Sequence, residues 1–229
     1  NTRVVLINNP LNPSASTFDR TSLELLATFA EAHDAIVLSD EVWEHIIFDN
    51  AAHTSVLQVP SLRNRSVKIG SGGKIFALTG WKIGWMCAAP HLTAALAKSH
   101  QFLTFTTPPN LQAGIAHGLA KPMEWFTQMR AQFQRSRDRL VTGLTAAGYK
   151  MLPSMGTYFV SIDLAATGIL HTDTITADRL LTAGVATIPV SAFYAQSAVT
   201  STLRLCFAKQ DATLDTAIDR LATALPTLR

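Results

Sequence analysis

Cysteine is nearly absent from these 229 residues: Cys87 and Cys206 are the only two, and they form neither a disulfide framework nor a CxxC pair. That excludes a stapled secreted scaffold and points to a reducing, cytoplasmic setting. Charge is sparse as well, at 15% Asp, Glu, Lys and Arg with a net charge of +3. The basic residues are scattered, and the lack of a run or stripe argues against a nucleic-acid partner. Long apolar runs are missing too. Nothing approaches the roughly 18 uninterrupted apolar residues of a membrane span, and no secretory leader pattern opens the sequence.

What is plentiful is apolar content, at 48%, with a mean hydropathy of +0.19. Such a chain is too apolar and too weakly charged for disorder, and its length suits one large domain or two small ones with a real core. It opens with Asn1-Thr2-Arg3 and runs straight into an apolar strand, so we expect it to be the latter part of something longer.

Val4-Val5-Leu6-Ile7 has the continuous apolar character of a strand buried on both faces of a parallel sheet. A loop rich in Asn and Pro follows over residues 8–16. Thr21 and Glu24 have capping-box spacing and predict a helix reaching about Ala32. Further strands are predicted at 35–38, 66–69 and 83–88, the last stopped by Pro90, and the alternation reads as α/β. From Met123 onward, Phe126, Met129, Phe133, Leu140 and Leu144 form one helical stripe. Arg130, Arg135, Arg137 and Arg139 are read as its solvated surface, and Gly148 as its end. Beyond it come strands at 157–162, 185–189 and 203–207, with a helix at 174–183. A last helix carries Leu214, Ile218, Leu221 and Leu225, with Asp211 as N-cap. This predicts a smaller α+β unit, with the boundary near residue 146.

Ligands of open α/β sheets gather beyond the carboxyl ends of strands. Three such ends carry polar groups: residues 8–12, Asp40, and residues 71–74. Gly70, Gly72 and Gly73 would let the backbone approach a ligand closely, a phosphate above all. A Walker A loop ending at Gly73-Lys74 would need glycine at position 68 and Ser or Thr at 75, but the sequence has Lys68 and Ile75. Glu41-Val42-Trp43-Glu44-His45 is not HExxH, the histidines have no ligand spacing, and no GxSxG elbow occurs, so neither a metal site nor a serine hydrolase is expected. Lys74 at the glycine turn suits either of two tasks, holding a phosphate as a point charge or acting as a Schiff-base amine. The residues alone leave both open.

Five motifs occur in order: Asn8-Asn9-Pro10-Leu11-Asn12-Pro13, Ser39-Asp40-Glu41-Val42-Trp43-Glu44, Gly70-Ser71-Gly72-Gly73-Lys74, Leu78-Thr79-Gly80-Trp81-Lys82-Ile83-Gly84 and Leu203-Arg204-Leu205-Cys206-Phe207. Together they resemble the pyridoxal-phosphate-dependent aminotransferases of fold type I, class I/II. The segment from Phe102 to Asn110 is similar to the methionine and kynurenine/glutamine transaminase branch. The resemblance implies an α/β fold with a mainly parallel-sheet large domain, present in part over residues 1–146 with the linking helix. It also implies a small C-terminal α+β domain over 147–229. The implied activity is ping-pong transfer of an α-amino group, from an amino acid that is sulfur-containing or aromatic, to a 2-oxo acid in a cytoplasmic homodimer. Two rivals stand beside it: a pyridoxal-phosphate-dependent C–S β-lyase, and an aminotransferase-like sensor domain of a transcription regulator.

Site roles follow from the same resemblance. Lys74 would carry the pyridoxal phosphate and move the proton, and Asp40 would hold the pyridine nitrogen protonated. Asn12 would donate to the cofactor's phenolic oxygen and adjoin the substrate. Ser71 and Lys82 would bind the phosphate, and Arg204 the substrate carboxylate. No metal is implied. Lys82 stands where many relatives have Arg, Trp43 replaces a Tyr whose hydroxyl contacts the cofactor, and Ser14-Ala15 replaces Thr-Gly. Asn8 and Asn9 are read as turn formers, and Tyr158 and Phe159 as core more than substrate entrance. Relatives carry a front segment with a glycine-rich phosphate turn and a ring stacked on the cofactor, so that portion is expected to be missing here.

Overall fold

The structure, a computed structural model, describes residues 1–229. Contacts divide the chain into two compact units, Asn1–Leu11 with Thr17–Gln128 and Asn12–Ser16 with Met129–Arg229.

The first unit contains β1 (Val4–Asn8), α1 (Arg20–Ala32), β2 (Ile36–Asp40), β3 (Ser66–Ser71), α2 (Gly72–Ile75), β4 (Gly84–Ala88), α3 (Pro90–Leu103) and α4 (Pro109–Leu119). Its sheet runs β1-β2-β3-β4. The first three strands are parallel, and β4 joins β3 antiparallel. Register sets Asn8 beside Asp40 and Asp40 beside Ile69, so the polar ends of three strands arrive at one level. The core beneath is apolar: Leu23, Ala27 and Ala30 of α1 pack with Ala35, Val37, Val56, Val59 and Leu62. Each large side chain taken out of water there contributes roughly 1.5–3 kcal/mol.

Three local expectations change. The cap of α1 is Asp19, whose Oδ1 accepts from Ser22 N at 2.7 Å, and Glu24 instead pairs with Arg20 at 2.9 Å. An aspartate one residue ahead of the helix already satisfies the orphan N–H, so a box starting at Thr21 has nothing left to cap. β1 is not buried on both faces: Val5 and Ile7 pack on the core, while Val4 and Leu6 remain 51% and 70% exposed. Pro90 does more than end a strand, because it opens α3 as a first-turn proline whose missing N–H would have had no partner anyway. α3 and α4 themselves went unpredicted. α3 buries none of its residues and leaves Phe102 and Leu103 86% and 85% exposed, with half-buried Leu92 and Leu96 one helical turn apart.

α5 (Met123–Ala146), the helix in or just after which the boundary is expected, crosses from the first span into the second, and the contact division falls inside it. The second unit then adds β5 (Lys150–Met151), β6 (Phe159–Asp163), α6 (Leu164–Thr167), α7 (Asp173–Thr182), β7 (Ile188–Pro189), β8 (Thr202–Cys206) and α8 (Asp211–Leu228). Its sheet is antiparallel, in the order β5-β6-β8-β7. Gly148 follows α5 at φ +100°, the left-handed conformation that glycine adopts freely. A Cβ at Gly143 would lie 2.6 Å from Ile218 Cδ1, so that glycine is what lets α5 and α8 approach. Buried Tyr149 donates its hydroxyl to Leu221 O at 2.8 Å, and burial pushes its phenol up to about 12.

Asp211 lies in the first turn of α8 rather than at its cap, where Gln210 makes no side-chain bond. Arg139 claims both Asp211 and Asp215 as ion pairs. Arg137 also departs from the solvated-surface reading: it is 8% exposed, donates to Ser154 O at 2.9 Å and pairs with Asp138 at 2.7 Å.

Candidate functional site

β2 ends at Asp40, and the chain turns at once. Glu41 N donates to Ile69 O and Glu44 N to Glu41 O, both at 2.9 Å. Inside that turn Val42 N donates to Asp40 Oδ1 at 3.2 Å, which orients the carboxylate. Asn8 Nδ2 and Asn9 N both donate to Asp40 O at 2.9 Å. Asn9 is buried and its Oδ1 also accepts from Phe18 N at 3.0 Å, so it is a strand-end anchor more than a turn former. Burial raises the Asp40 carboxyl above its ordinary value, against the pull of the Val42 N–H and the Lys74 charge, while Glu41 pushes it up further. Trp43 is buried in the same turn, and Lys74 Nζ stands 5.1 Å from the centre of its ring. An ammonium over an indole face is an attractive pairing of about 0.5–2 kcal/mol. Asp40 and Trp43 from one motif and Lys74 from another thus come together in the first unit.

Ser71 ends β3 immediately before α2 and makes no capping bond with its side chain. Lys82 is exposed, at φ +54°, just after a single 3-10 turn at Thr79–Trp81. Thr79 Oγ1 ties that turn to Gly73 O at 3.2 Å. Ser71, Lys74 and Lys82 therefore belong to one continuous loop system beyond β3. A Cβ at Gly70 would sit 2.3 Å from the Trp85 ring, and one at Gly72 would sit 2.4 Å from Ile115 Cδ1, so both glycines also admit neighbouring protein side chains.

Asn12 and Arg204 lie in the second unit and meet there: Arg204 Nη1 donates to Asn12 Oδ1 at 2.5 Å. The guanidinium is layered on Phe159 and Phe193, at 4.0 and 4.9 Å from their ring centres. Partial burial lowers its pKa from the usual arginine value. Phe159 is a core residue, 9% exposed, that also floors the arginine. Tyr158 meets it edge to face, with ring centres 4.6 Å apart. Phe193 was missed, since only its place in the Ser191-Ala192-Phe193-Tyr194 run distinguished it. Its segment is held by buried Asp173, which accepts from Ser191 N at 2.7 Å and Ser191 Oγ at 2.8 Å. Ala15 adopts φ +58° while fully packed, a conformation a glycine would take without strain.

A second cluster lies behind Asp40. Glu41 is 0% exposed. Its Oε1 accepts from Ser39 Oγ at 3.0 Å and Val56 N at 2.9 Å, and its Oε2 meets His53 Nε2 at 2.9 Å. Lys68 pairs with Glu44 and stands 3.9 Å from Glu41 Oε2. Burial pushes the Glu41 carboxyl up, but the His53 and Val56 hydrogen bonds prevail and hold it below its ordinary value. The donor atoms of Glu41, Glu44 and His53 lie within 4.8 Å of one another, as in a metal site, yet here Lys68 supplies the cation. Nothing in the sequence spacing announced this cluster. Its one signal was a second acid next to Asp40.

The first-unit groups suit pyridoxal phosphate in their chemistry. A carboxyl raised by burial, with only one lysine charge to offset it, is relieved by a cationic ring nitrogen. The Lys74 amine suits an aldehyde, and the Ser71 hydroxyl with the Lys82 ammonium suits a phosphate.

Residues 1–221 match the family described as aminotransferase class I and II. The chain is 38% identical to methionine aminotransferase of Escherichia coli K12 over 222 residues, 96% of this chain and 57% of that protein. It is 32% identical to human kynurenine–oxoglutarate transaminase 1, covering 96% of this chain and 57% of that one. The solved structure of N-succinyldiaminopimelate aminotransferase from Mycobacterium tuberculosis superposes with a TM-score of 0.92 at 36% identity, over 97% of this chain and 58% of that one. The chain thus spans a little over half the length of the relatives it matches.

Proposed function

The chain belongs to the aminotransferase class I and II family, and from that premise we propose that it serves the pyridoxal-phosphate-dependent transfer of an α-amino group from an amino acid to a 2-oxo acid by a ping-pong route. The observation that carries this reading is that Lys74 stands 5.1 Å from the centre of the Trp43 ring and its charge also bears on the burial-raised Asp40 carboxyl. Bound pyridoxal phosphate supplies an electron sink for the negative charge left when the substrate Cα loses its proton.

Lys74 would hold the cofactor through its amine, and its Nζ would then be the base for the substrate Cα proton. Asp40 would favour a protonated ring nitrogen, which a neutral amide would not do. Trp43 presents an apolar face and an N–H in place of a phenol, and the amide N–H of Asn12 would serve a phenolic oxygen. Ser71 and Lys82 would hold the phosphate, by hydroxyl and by charge. In the second unit Arg204, pre-set by its two aromatic neighbours and Asn12, takes the substrate α-carboxylate through its planar fork.

For the substrate side chain, relatives named for methionine and kynurenine support a sulfur-containing or aromatic amino acid. A homodimer is supported by the solvent-facing apolar side chains of Phe102, Leu103 and Phe105. A cytoplasmic location is supported by two unpaired cysteines. No helix is long and apolar enough to cross a membrane.

The test is chemical. Borohydride reduction of the protein loaded with pyridoxal phosphate is expected to fix the pyridoxyl group on the peptide containing Lys74. Label on Lys68 or Lys82 instead would overturn the assignment. Lys74→Ala is expected to abolish transamination while the cofactor still binds noncovalently, and turnover near the wild-type rate would show that another group carries the proton.

A further inference from the structure

Asp40 and Glu41 are consecutive, yet their side chains serve different neighbourhoods. Lys74 faces Asp40 from α2, and the only other charge on it is Glu41 beside it. Glu41 is faced by Ser39 from its own strand, His53 and the Val56 N–H from the following loop, Lys68 from β3, and Glu44 across the turn. His53 Nδ1 is buried without a hydrogen-bond partner, which assigns the ring proton to Nε2, where it points at Glu41. Lys68 lies directly opposite Ser39 in the β2–β3 register, so the sheet itself fixes the cation's position.

Two consequences follow from this geometry. The carbonyl of Glu41 closes the turn that aims the Val42 N–H at Asp40 Oδ1. Its carboxylate, wholly removed from water, places a negative charge one residue from the acid that must face a cationic ring. That charge reaches the Asp40 carboxyl and pushes it up, the smallest of the four influences on it.

We infer that Glu41 is a positioning and charge-setting residue for Asp40. Anchored by Ser39, Val56 and His53 and tempered by Lys68, it fixes the turn that aims the Asp40 carboxylate and lends its charge to the binding of a cation there. This rests on the reading of Asp40 as the partner of a pyridoxal-phosphate ring nitrogen. It predicts effects of opposite sign, which general loosening of the fold does not produce. Removing the Glu41 charge weakens the hold on positive charge at the cofactor, whereas removing the Lys68 charge strengthens it.

The experiment titrates the visible absorption band of bound pyridoxal phosphate against pH in the wild type, Glu41→Gln and Lys68→Met. The expected midpoint falls by about 0.5 unit or more in Glu41→Gln and rises by a similar amount in Lys68→Met. Glu41→Gln is also expected to lower kcat with KM within about twofold. Midpoints that stay at the wild-type value, or that move in the same direction in both variants, overturn the inference. If Glu41→Gln fails to fold, Lys68→Met decides alone: an upward shift supports the role, and an unchanged midpoint refutes it. Borohydride labelling at Lys74 in all three proteins separates this outcome from failure of the functional reading, since a wild type that takes up no cofactor overturns that reading instead.

Discussion

Two carboxylates one residue apart at the end of β2 have been pushed in opposite directions. Asp40 is half-buried and its pKa is raised; Glu41 is wholly buried and its pKa is lowered. Burial alone would have raised both, and the more buried one further. What differs is the company. Glu41 has the Val56 N–H, the Ser39 hydroxyl and His53 on its oxygens, whereas Asp40 has one backbone N–H and a lysine charge. The first arrangement is a completed structural network. The second is a carboxyl with fewer compensating partners, which suits the proposal that it faces a cationic ring.

The largest expected effect breaks the front of this pair. Asp40→Asn keeps the acceptor for Val42 N–H but removes the charge, and transamination is expected to fall by at least about 100-fold. Stability of the cofactor-free protein is expected to move the other way. A carboxyl whose folded pKa lies above its unfolded value of 3.8 makes folding less favourable once pH rises through that folded pKa, and has no such effect below 3.8. At neutral pH the neutral amide should therefore melt at the same temperature or higher. A lower melting temperature for Asp40→Asn would show that Asp40 is a structural residue like its neighbour.

Glu41→Ala tests the back of the pair, and there stability is the readout. It strands His53, the Val56 N–H and the Ser39 hydroxyl, while Lys68 keeps Glu44, so the loss is expected to be about 3–5 kcal/mol. The pH dependence has a definite sign. With the folded pKa below the unfolded 4.5, the contribution of Glu41 is fully present above pH 4.5 and is lost as pH falls through the lowered value. Denaturant unfolding at pH 7 and at acid pH should therefore show a smaller gap between wild type and Glu41→Ala in acid. An equal gap at both values would mean that the charge on Glu41 contributes nothing to folding.

How much of this was legible in the sequence differs between the two residues for a physical reason. Asp40 ends a continuous apolar run and Ser71 and Lys74 follow a short strand, so local pattern locates them as strand-end residues, while their roles came only with the family motifs. Glu41 was passed over because its partners, His53, Val56 and Lys68, come from a loop and a neighbouring strand that only the folded sheet brings near. The same limit hid the aromatic seat of Arg204, where Phe159 and Phe193 arrive from separate segments. α5 was legible because its stripe ends in buried Leu140 and Leu144, whereas α3 has only Leu92, Leu96, Phe102 and Leu103 among small and polar residues and buries none of them. Local chemistry also misplaced two caps. At α1 the earlier acid won, and at α8 Asp211 was drawn to Arg139.

The smallest perturbation gives the sharpest comparison of the two carboxylates. Ser39→Ala removes one hydroxyl donor, 3.0 Å from Glu41 Oε1, and leaves the backbone and Asp40 untouched. A hydrogen bond to a charged group contributes about 1.5–3 kcal/mol, and Glu41 keeps its other donors, so a loss near the lower end of that range is expected. Because the lost donor favoured the charged form, the acid limb of stability should move to slightly higher pH. The pH dependence of the cofactor's visible band, which reports on Asp40, should stay at the wild-type midpoint to within about 0.2 unit. If that band moves while stability does not, the hydroxyl acts on Asp40, and the division between a structural acid and a ligand-facing acid at the end of β2 fails.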